Sequence, residues 1–133
     1  MTVAFNHLGK LGQLGNQMFQ YAAAKGIASK VGASFMIPNH QEIFDDGIGN
    51  RYTILLFDAF KLTSATNLGT LQTEKYAQEQ TFEFTPEFFD LNGSEDFSLW
   101  GFFQTEKYFK HIEDEVREDF SFHDEIVEEC SAI

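Results

Sequence analysis

The most constraining feature of the sequence is a glycine-rich segment between a short apolar run, residues 3–5, and a long helical pattern. The segment contains three glycines at steps of three residues: Gly9, Gly12 and Gly15. Apolar residues then recur at helix-face spacing as far as Val31, and Gly32 follows where a helix C-cap belongs. The pattern predicts a strand, a turn and a helix whose N-terminus offers backbone N–H groups to a phosphate or an anionic sugar nucleotide.

Polar side chains crowd the first turns of this predicted helix, at Asn16, Gln17 and Gln20. The glycine spacing G-x-x-G-x-x-G excludes the dinucleotide fingerprint G-x-G-x-x-G, and no Gly-Lys-Ser or Gly-Lys-Thr follows to make a P-loop. Amide side chains both donate and accept hydrogen bonds, which suits a ligand. Asn16 equally suits a helix N-cap, and the spacing alone leaves both roles open.

The order of the elements predicts an α/β domain. Residues 34–37 resemble a second strand, so the chain begins with a β-α-β unit whose strands are parallel. Residues 97–102 predict a later strand that returns to the sheet, and Gln104 follows its C-terminal end, where open α/β sheets bind ligands. Thr105 suits the cap of a helix that extends to about Phe120. Its predicted buried face contains Tyr108, Ile112 and Val116.

The connecting segments give weaker patterns. Residues 39–51 predict a loop, and residues 52–60 a short helix or turn that packs on the sheet. Residues 63–80 are polar and aperiodic, whereas the alternation at 82–84 favours a short strand. A short acidic helix is expected from Asp124.

Two segments resemble signature sequences of one enzyme family. Residues 14–22, L-G-N-Q-M-F-Q-Y-A, are similar to the N-terminal signature of glycosyltransferase family 11, the α-1,2-fucosyltransferases. Residues 101–109, G-F-F-Q-T-E-K-Y-F, resemble the family's G-Y-F-Q-S-E-K-Y-F segment, and Phe-Ser-Phe at 120–122 follows at the family's distance. The resemblance covers most of the chain but only the N-terminal half of the family.

The resemblance implies a single Rossmann-like domain, residues 1–133, equivalent to the N-terminal half of a two-domain GT-B glycosyltransferase without its C-terminal donor-binding domain. The complete family transfers fucose with inversion from GDP-fucose to a galactoside hydroxyl. The implied partners are therefore a nucleotide sugar and a glycan acceptor, with no cofactor and no identified catalytic residue. The residues implied to line the interdomain cleft are Gly15, Asn16, Gln17, Gln20 and Gln104.

The sequence departs from the family in its arginines. No histidine is followed by the family's H-x-R-R-x-D pattern, and the two arginines, Arg51 and Arg117, lie far apart in sequence. Paired guanidinium groups bind diphosphate oxygens bidentately, so a principal donor-binding element is missing. Gln13 also stands where the family has Gly or Arg. We therefore expect this chain to be inactive alone, its cleft completed by a C-terminal domain or by self-association. The alternatives are a non-catalytic glycan-binding or protein-interaction module and a plain structural domain.

Composition and charge narrow the classes of partner. The net charge of −12 opposes binding to nucleic acid or to anionic membranes, because both are bound through clustered Lys and Arg. No apolar run reaches membrane-spanning length, and no secretory signal begins the sequence. Cys130 is the single cysteine, which fits a cytoplasmic location. Hydrophobic residues make up 43% of the chain and include 16 Phe, which is enough apolar surface to form one hydrophobic core.

Other clusters of reactive residues favour structural interpretations. The four histidines lack metal-ligand spacing, so we predict no metal site. The acidic residues at 113–119 favour a solvated helix face over a cation site. The pair Asp45-Asp46 favours a loop tip, and most aromatic residues at 100–109 are expected in the core.

Overall fold

The computed structural model describes residues 2–8, 14–38, 43–45, 51–53, 56–62, 67–73, 75–81, 83–90 and 96–122. Its central element is a parallel sheet of four strands: β1 (Thr2–Ala4), β2 (Ser34–Met36), β5 (Tyr76–Gln78) and β6 (Phe97–Trp100). Across the sheet their order is β2-β1-β6-β5. The α/β class and the parallel β-α-β unit predicted from the sequence are therefore confirmed.

The remaining elements flank this sheet. The helices are α1 (Leu14–Val31), α2 (Leu56–Ala59) and α3 (Glu113–Asp119), and the 3₁₀ helices are Pro86–Asp90, Glu106–Tyr108 and Lys110–Ile112. Strands β3 (Ile43–Asp45) and β4 (Arg51–Thr53) form a separate antiparallel pair. No helix among the described residues is long and apolar enough to cross a membrane.

Strand β1 occupies the point at which the strand order reverses. It pairs with β2 on one side, Val3 opposite Phe35, and with β6 on the other, Val3 opposite Phe97. The chain reaches β6 by way of the outer strand β5, with Ala77 opposite Leu99. In open α/β sheets such a reversal creates a crevice at the carboxyl ends of the central strands.

Helix α1 is buried on more than one side. It packs against β1 and β2 and also against the three 3₁₀ helices. Small residues, including Ala22, Ala23 and Ala24, allow this close packing. The tightest approach is at Gly26, where an added Cβ would lie 2.0 Å from the carbonyl oxygen of Tyr108. The helix ends at Val31, and Gly32 has the positive φ of +71° expected for a C-cap glycine.

Aromatic rings fill the core between α1 and the sheet. The Phe103 ring contacts the rings of Phe5, Phe88 and Tyr108 edge-on, with centroids 6.0, 5.1 and 5.3 Å apart. The Tyr108 hydroxyl accepts a hydrogen bond of 2.9 Å from the Thr85 backbone N–H, so the polar end of this buried ring is satisfied. The expectation that most of the aromatic residues at 100–109 are structural holds for Phe103 and Tyr108, both fully buried.

The structure corrects three predictions of secondary structure. The helix expected from Thr105 is instead two 3₁₀ helices followed by α3. The chain from residue 106 to 112 is held by local i→i+3 bonds, such as Phe109 N–H to Glu106 O. Its predicted buried residues are nevertheless buried: Tyr108, Ile112 and Val116. Strand β5 lies in the segment expected to be aperiodic, because an edge strand is held by backbone bonds rather than by buried side chains. Conversely, residues 83–85 form no strand.

Further differences concern the segments between these elements. The expected loop at 39–51 includes strand β3 and the start of β4. The segment 52–60 contains most of β4 as well as the expected short helix, α2. Phe82, Asp46, Cys130 and the acidic helix expected from Asp124 lie outside the described residues.

Candidate functional site

The candidate site lies where the carboxyl ends of β1 and β6 meet the first turns of α1. The chain leaves β1 through residues 5–8 and leaves β6 through residues 101–104. The side chain of Asn6 closes the end of β1 against segment 67–73, because its Nδ2 donates to Leu71 O at 2.8 Å and its Oδ1 accepts from Leu71 N at 2.7 Å. Asn6 is 7% exposed and has a structural role that we did not predict.

Asn16 and Gln104 form a direct contact across this edge. The Gln104 Nε2 donates to the Asn16 Oδ1 at 2.5 Å. Helix α1 begins at Leu14, so Asn16 lies within the first turn and the N-cap interpretation is wrong. Since the contact uses the oxygen of the Asn16 amide, its Nδ2 is left to donate toward a ligand. Gln104 is exposed and Asn16 is partly exposed, so a ligand can reach this pair.

Gln20 lies one turn further along α1 and is held by the same loop. Its Nε2 donates to the carbonyl oxygen of Gly101 at 3.3 Å. Its side chain is fully buried, and its Oε1 has no hydrogen-bond partner among the described residues. An unsatisfied buried acceptor costs about 1–3 kcal/mol. Gln20 therefore keeps an unused acceptor, just as Asn16 keeps a donor.

The other two predicted site residues occupy different environments. Gly15 is exposed, and nothing lies within 4 Å of the position of an added Cβ. Gln17 is 1% exposed and faces the interior. The structure thus brings together Asn16, Gln20 and Gln104, while Gly15 borders the surface and Gln17 belongs to the packed side of α1.

Glu79 is a residue of this edge that sequence reasoning missed. Its Oε1 accepts from the backbone N–H of Phe102 and its Oε2 from that of Phe103, both at 3.1 Å. Two successive N–H groups directed at one anion form a nest, here called the 101–103 nest. The nest requires a positive φ at Gly101, +147°, and at Phe103, +50°. No sequence signal pointed to Glu79, because it follows β5, a strand with no side-chain pattern of its own.

A shallow pocket adjoins the nest. It measures about 220 Å³ and is lined by residues 78–81 and 100–102. On the neighbouring strand end, the ring of His7 packs edge-on against Trp100, with centroids 4.8 Å apart. The carboxyl edge of the sheet therefore combines backbone donors, a carboxylate, amides and aromatic faces.

The charged residues of α3 are organised away from this edge. The Asp119 carboxylate is 1% exposed and accepts from the Tyr21 hydroxyl at 2.8 Å and from the Lys25 Nζ at 3.0 Å. The prediction of a solvated acidic face holds for Glu113, Asp114, Glu115 and Glu118. It is wrong for Asp119, because this carboxylate is buried as the shared hydrogen-bond acceptor of Tyr21 and Lys25.

Two of the described cations pair with carboxylates of α3. Arg117 pairs with Glu113 at 2.5 Å, and Lys25 pairs with Asp119. The side chain of Arg51 lies outside the described residues. In the described part of the chain, no group of three or more His, Cys, Asp or Glu side chains is placed to hold a metal ion. The described residues of this edge offer hydrogen-bond donors and acceptors to hydroxyl groups and to an anion.

Comparison of the chain with models of protein families, with curated proteins and with solved structures gave no match in any of the three.

Proposed function

We propose that the carboxyl edge of β1 and β6 is one wall of the substrate cleft of a fucosyltransferase of glycosyltransferase family 11. In this proposal the chain corresponds to the N-terminal half of a GT-B enzyme that transfers fucose from GDP-fucose to a galactoside hydroxyl. The bond between Gln104 and Asn16 carries the proposal. It joins the two sequence segments that resemble the family, 88 positions apart, at the edge where α/β sheets bind ligands.

The amide groups have complementary roles in this cleft. Asn16 donates through Nδ2 to an oxygen of the donor sugar-phosphate or of the acceptor, and Gln104 fixes the orientation of that amide. Gln20 is fully buried, so its part is to hold the loop that carries Gln104 through the bond to Gly101 O. Inverting transfer requires the acceptor oxygen to be held opposite the departing diphosphate, and neutral amides supply such positioning without competing charge.

The leaving diphosphate needs positive charge, whereas the described side chains assigned to this wall, Asn16, Gln20 and Gln104, are neutral amides. Lys25 and Arg117 are paired with carboxylates, and the two arginines of the chain are not adjacent in sequence. We therefore assign charge stabilisation of the transition state to a second domain or a second subunit. The chain by itself is expected to bind substrate weakly and to have no transferase activity.

Calorimetric titration with GDP-fucose and with a simple β-galactoside tests this proposal. We expect dissociation constants in the millimolar range and about a tenfold loss of affinity in Asn16→Ala, the equivalent of one hydrogen bond. Asn67→Ala is the matched control, because Asn67 is an exposed asparagine outside this edge. Equal affinities of the two variants for both ligands would refute the assigned role of Asn16.

A second candidate function is a non-catalytic glycan-binding module. The partly exposed amide of Asn16 is neutral, which matches sugar hydroxyls better than phosphates, and the net charge is −12. The same titration separates the two functions. Galactoside binding that GDP-fucose neither enhances nor competes with supports the module, whereas binding of GDP-fucose supports the transferase wall.

A further inference from the structure

The contact between Glu79 and the loop after β6 has the chemistry of an occupied anion site. Both carboxylate oxygens accept hydrogen bonds from consecutive backbone N–H groups, those of Phe102 and Phe103. Backbone N–H groups in this arrangement recur in proteins as binding sites for phosphate and carboxylate groups. The 101–103 nest therefore holds an anion already, and that anion belongs to the chain itself.

The backbone around the nest is specialised for this contact. Gly101 has a φ of +147°, and an added Cβ would lie 2.5 Å from the Cβ of Glu79. Phe103, a bulky residue, has a φ of +50°, a conformation that few such residues adopt. Its ring is buried in the core, which holds the strained backbone in place. The N–H groups are thus fixed by packing and do not depend on Glu79 alone.

The nest is accessible from solvent. Glu79 is partly exposed and lines the pocket of about 220 Å³ beside Gly101 and Phe102. A phosphate group in this pocket could take the place of the carboxylate if the Glu79 side chain rotated outward. The segment that carries Glu79 stays attached during this rotation, because Glu79 N–H donates to Trp100 O at 2.8 Å through the backbone.

We propose that the 101–103 nest is a phosphate-binding site and that Glu79 is a tethered competitor that occupies it when no ligand is bound. The inference is independent of the proposed transferase function, since it concerns only the phosphoryl group. A competitor that fills the site most of the time weakens ligand binding. The apparent association constant equals the intrinsic constant multiplied by the fraction of time that the site is open. Glu79 would thereby restrict the site to ligands with additional contacts.

Removal of the Glu79 carboxylate tests the proposal. We expect Glu79→Ala to bind inorganic phosphate at least about tenfold more tightly than the unaltered chain does, as measured from the ¹⁵N-amide shifts of Phe102 and Phe103 at constant ionic strength. Glu83→Ala is the matched control, because Glu83 is an exposed glutamate four residues away. It should behave like the unaltered chain.

Glu79→Gln separates competition from folding, because the amide keeps the shape of the side chain without its charge. It should bind phosphate with an affinity between those of Glu79→Ala and the unaltered chain. A folded variant whose Phe102 and Phe103 amides do not respond to phosphate overturns the proposal. So does failure of both variants to fold, since Glu79 would then be an obligatory structural cap that no ligand could displace.

Titration with GDP distinguishes the source of the phosphoryl group. If GDP binds Glu79→Ala more tightly than inorganic phosphate does, and shifts the same amides, the site accepts a nucleotide diphosphate. If the two affinities are equal, the nest is a simple phosphate site. Both outcomes support the phosphate site, and neither depends on galactoside binding or on Asn16.

Discussion

The two halves of α1 differ in how completely their polar groups are satisfied. In residues 14–20, Asn16 and Gln20 each use one atom of the amide in a bond to the loop after β6, and the other amide atom of Gln20 is a buried acceptor with no partner among the described residues. In residues 21–31, Tyr21 and Lys25 converge on one buried carboxylate, and the backbone lies against Tyr108. The first half therefore retains hydrogen-bonding groups that are not used within the fold, whereas Tyr21 and Lys25 in the second half are paired.

The proposed site would make this difference a division between recognition and stability within one helix. Asn16 keeps a donor at a partly exposed position, which suits recognition, whereas the unsatisfied buried acceptor of Gln20 costs stability. Close packing and satisfied charges in the second half supply stability instead. Substitutions at Gly26 or at the partners of Asp119 should therefore destabilise the fold, whereas a substitution at Asn16 should change ligand affinity and leave the fold intact.

Gly26→Ala is expected to have the largest effect on stability. Its Cβ would lie 2.0 Å from a backbone oxygen, that of Tyr108, which cannot rotate away as a flexible side chain would. We expect a loss of at least about 3 kcal/mol in the free energy of unfolding, at the upper end of overpacking costs. Urea denaturation followed by circular dichroism measures this loss.

Gly15→Ala is the control for that substitution in the same helix. Nothing lies within 4 Å of its added Cβ, so the gain in helix propensity should raise the free energy of unfolding by up to about 1 kcal/mol. Opposite signs for the two glycines support the division. Similar losses at both positions would show that the first half is packed as tightly as the second.

Asp119→Ala should have the next largest effect. It removes the shared acceptor of Tyr21 and Lys25 and leaves a largely buried ammonium without this partner, so we expect a loss of about 3 kcal/mol. Tyr21→Phe removes one of these hydrogen bonds and should cost about 1 kcal/mol. The urea midpoint of each variant gives the comparison.

Asp114→Ala controls for the removal of an aspartate from α3. Asp114 is exposed on the same helix, so its variant should unfold at nearly the same urea concentration as the unaltered chain. If Asp119→Ala unfolded at that concentration as well, the buried network would contribute little, and the contrast between the halves of α1 would rest on Gly26 alone.

The sequence predicted correctly the elements that are defined by residues close to one another along the chain. The apolar run at 3–5, the helical spacing after Gly15 and the cap at Gly32 were sufficient for the first β-α-β unit. The tight approach at Gly26 was not predictable, because it depends on a carbonyl group 82 positions further along the chain. Strand β5 was missed because pairing with β6, rather than its own side chains, defines it.

The candidate site residues came from the same kinds of pattern. Amides at the start of a helix, together with the family resemblance, predicted Asn16 and Gln20, and position after a strand predicted Gln104. The sequence did not indicate which atoms of these amides are already used, since that depends on Gly101 O and on the contact between Asn16 and Gln104. Glu79 was missed because its role arises only when the ends of β5 and β6 lie side by side.

The smallest expected effect on stability is at the contact between Asn16 and Gln104. A double-mutant cycle with Asn16→Ala and Gln104→Ala should give a coupling of about 0.5 kcal/mol in urea denaturation, because the contact is solvent-exposed and neutral. Gln72→Ala removes an exposed glutamine side chain that is bonded to neither Asn16 nor Gln104, and this control should be neutral.

The same pair should be coupled more strongly in ligand binding than in folding. Without Gln104, the Asn16 amide loses the bond that fixes its orientation, so Gln104→Ala should weaken ligand binding although Gln104 need not touch the ligand. Calorimetry on the four proteins of the cycle measures this coupling. If Gln104→Ala destabilised the fold as much as Gly26→Ala and left affinity unchanged, the first half of α1 would be a packing surface like the second, and the assignment of this edge to recognition would fail.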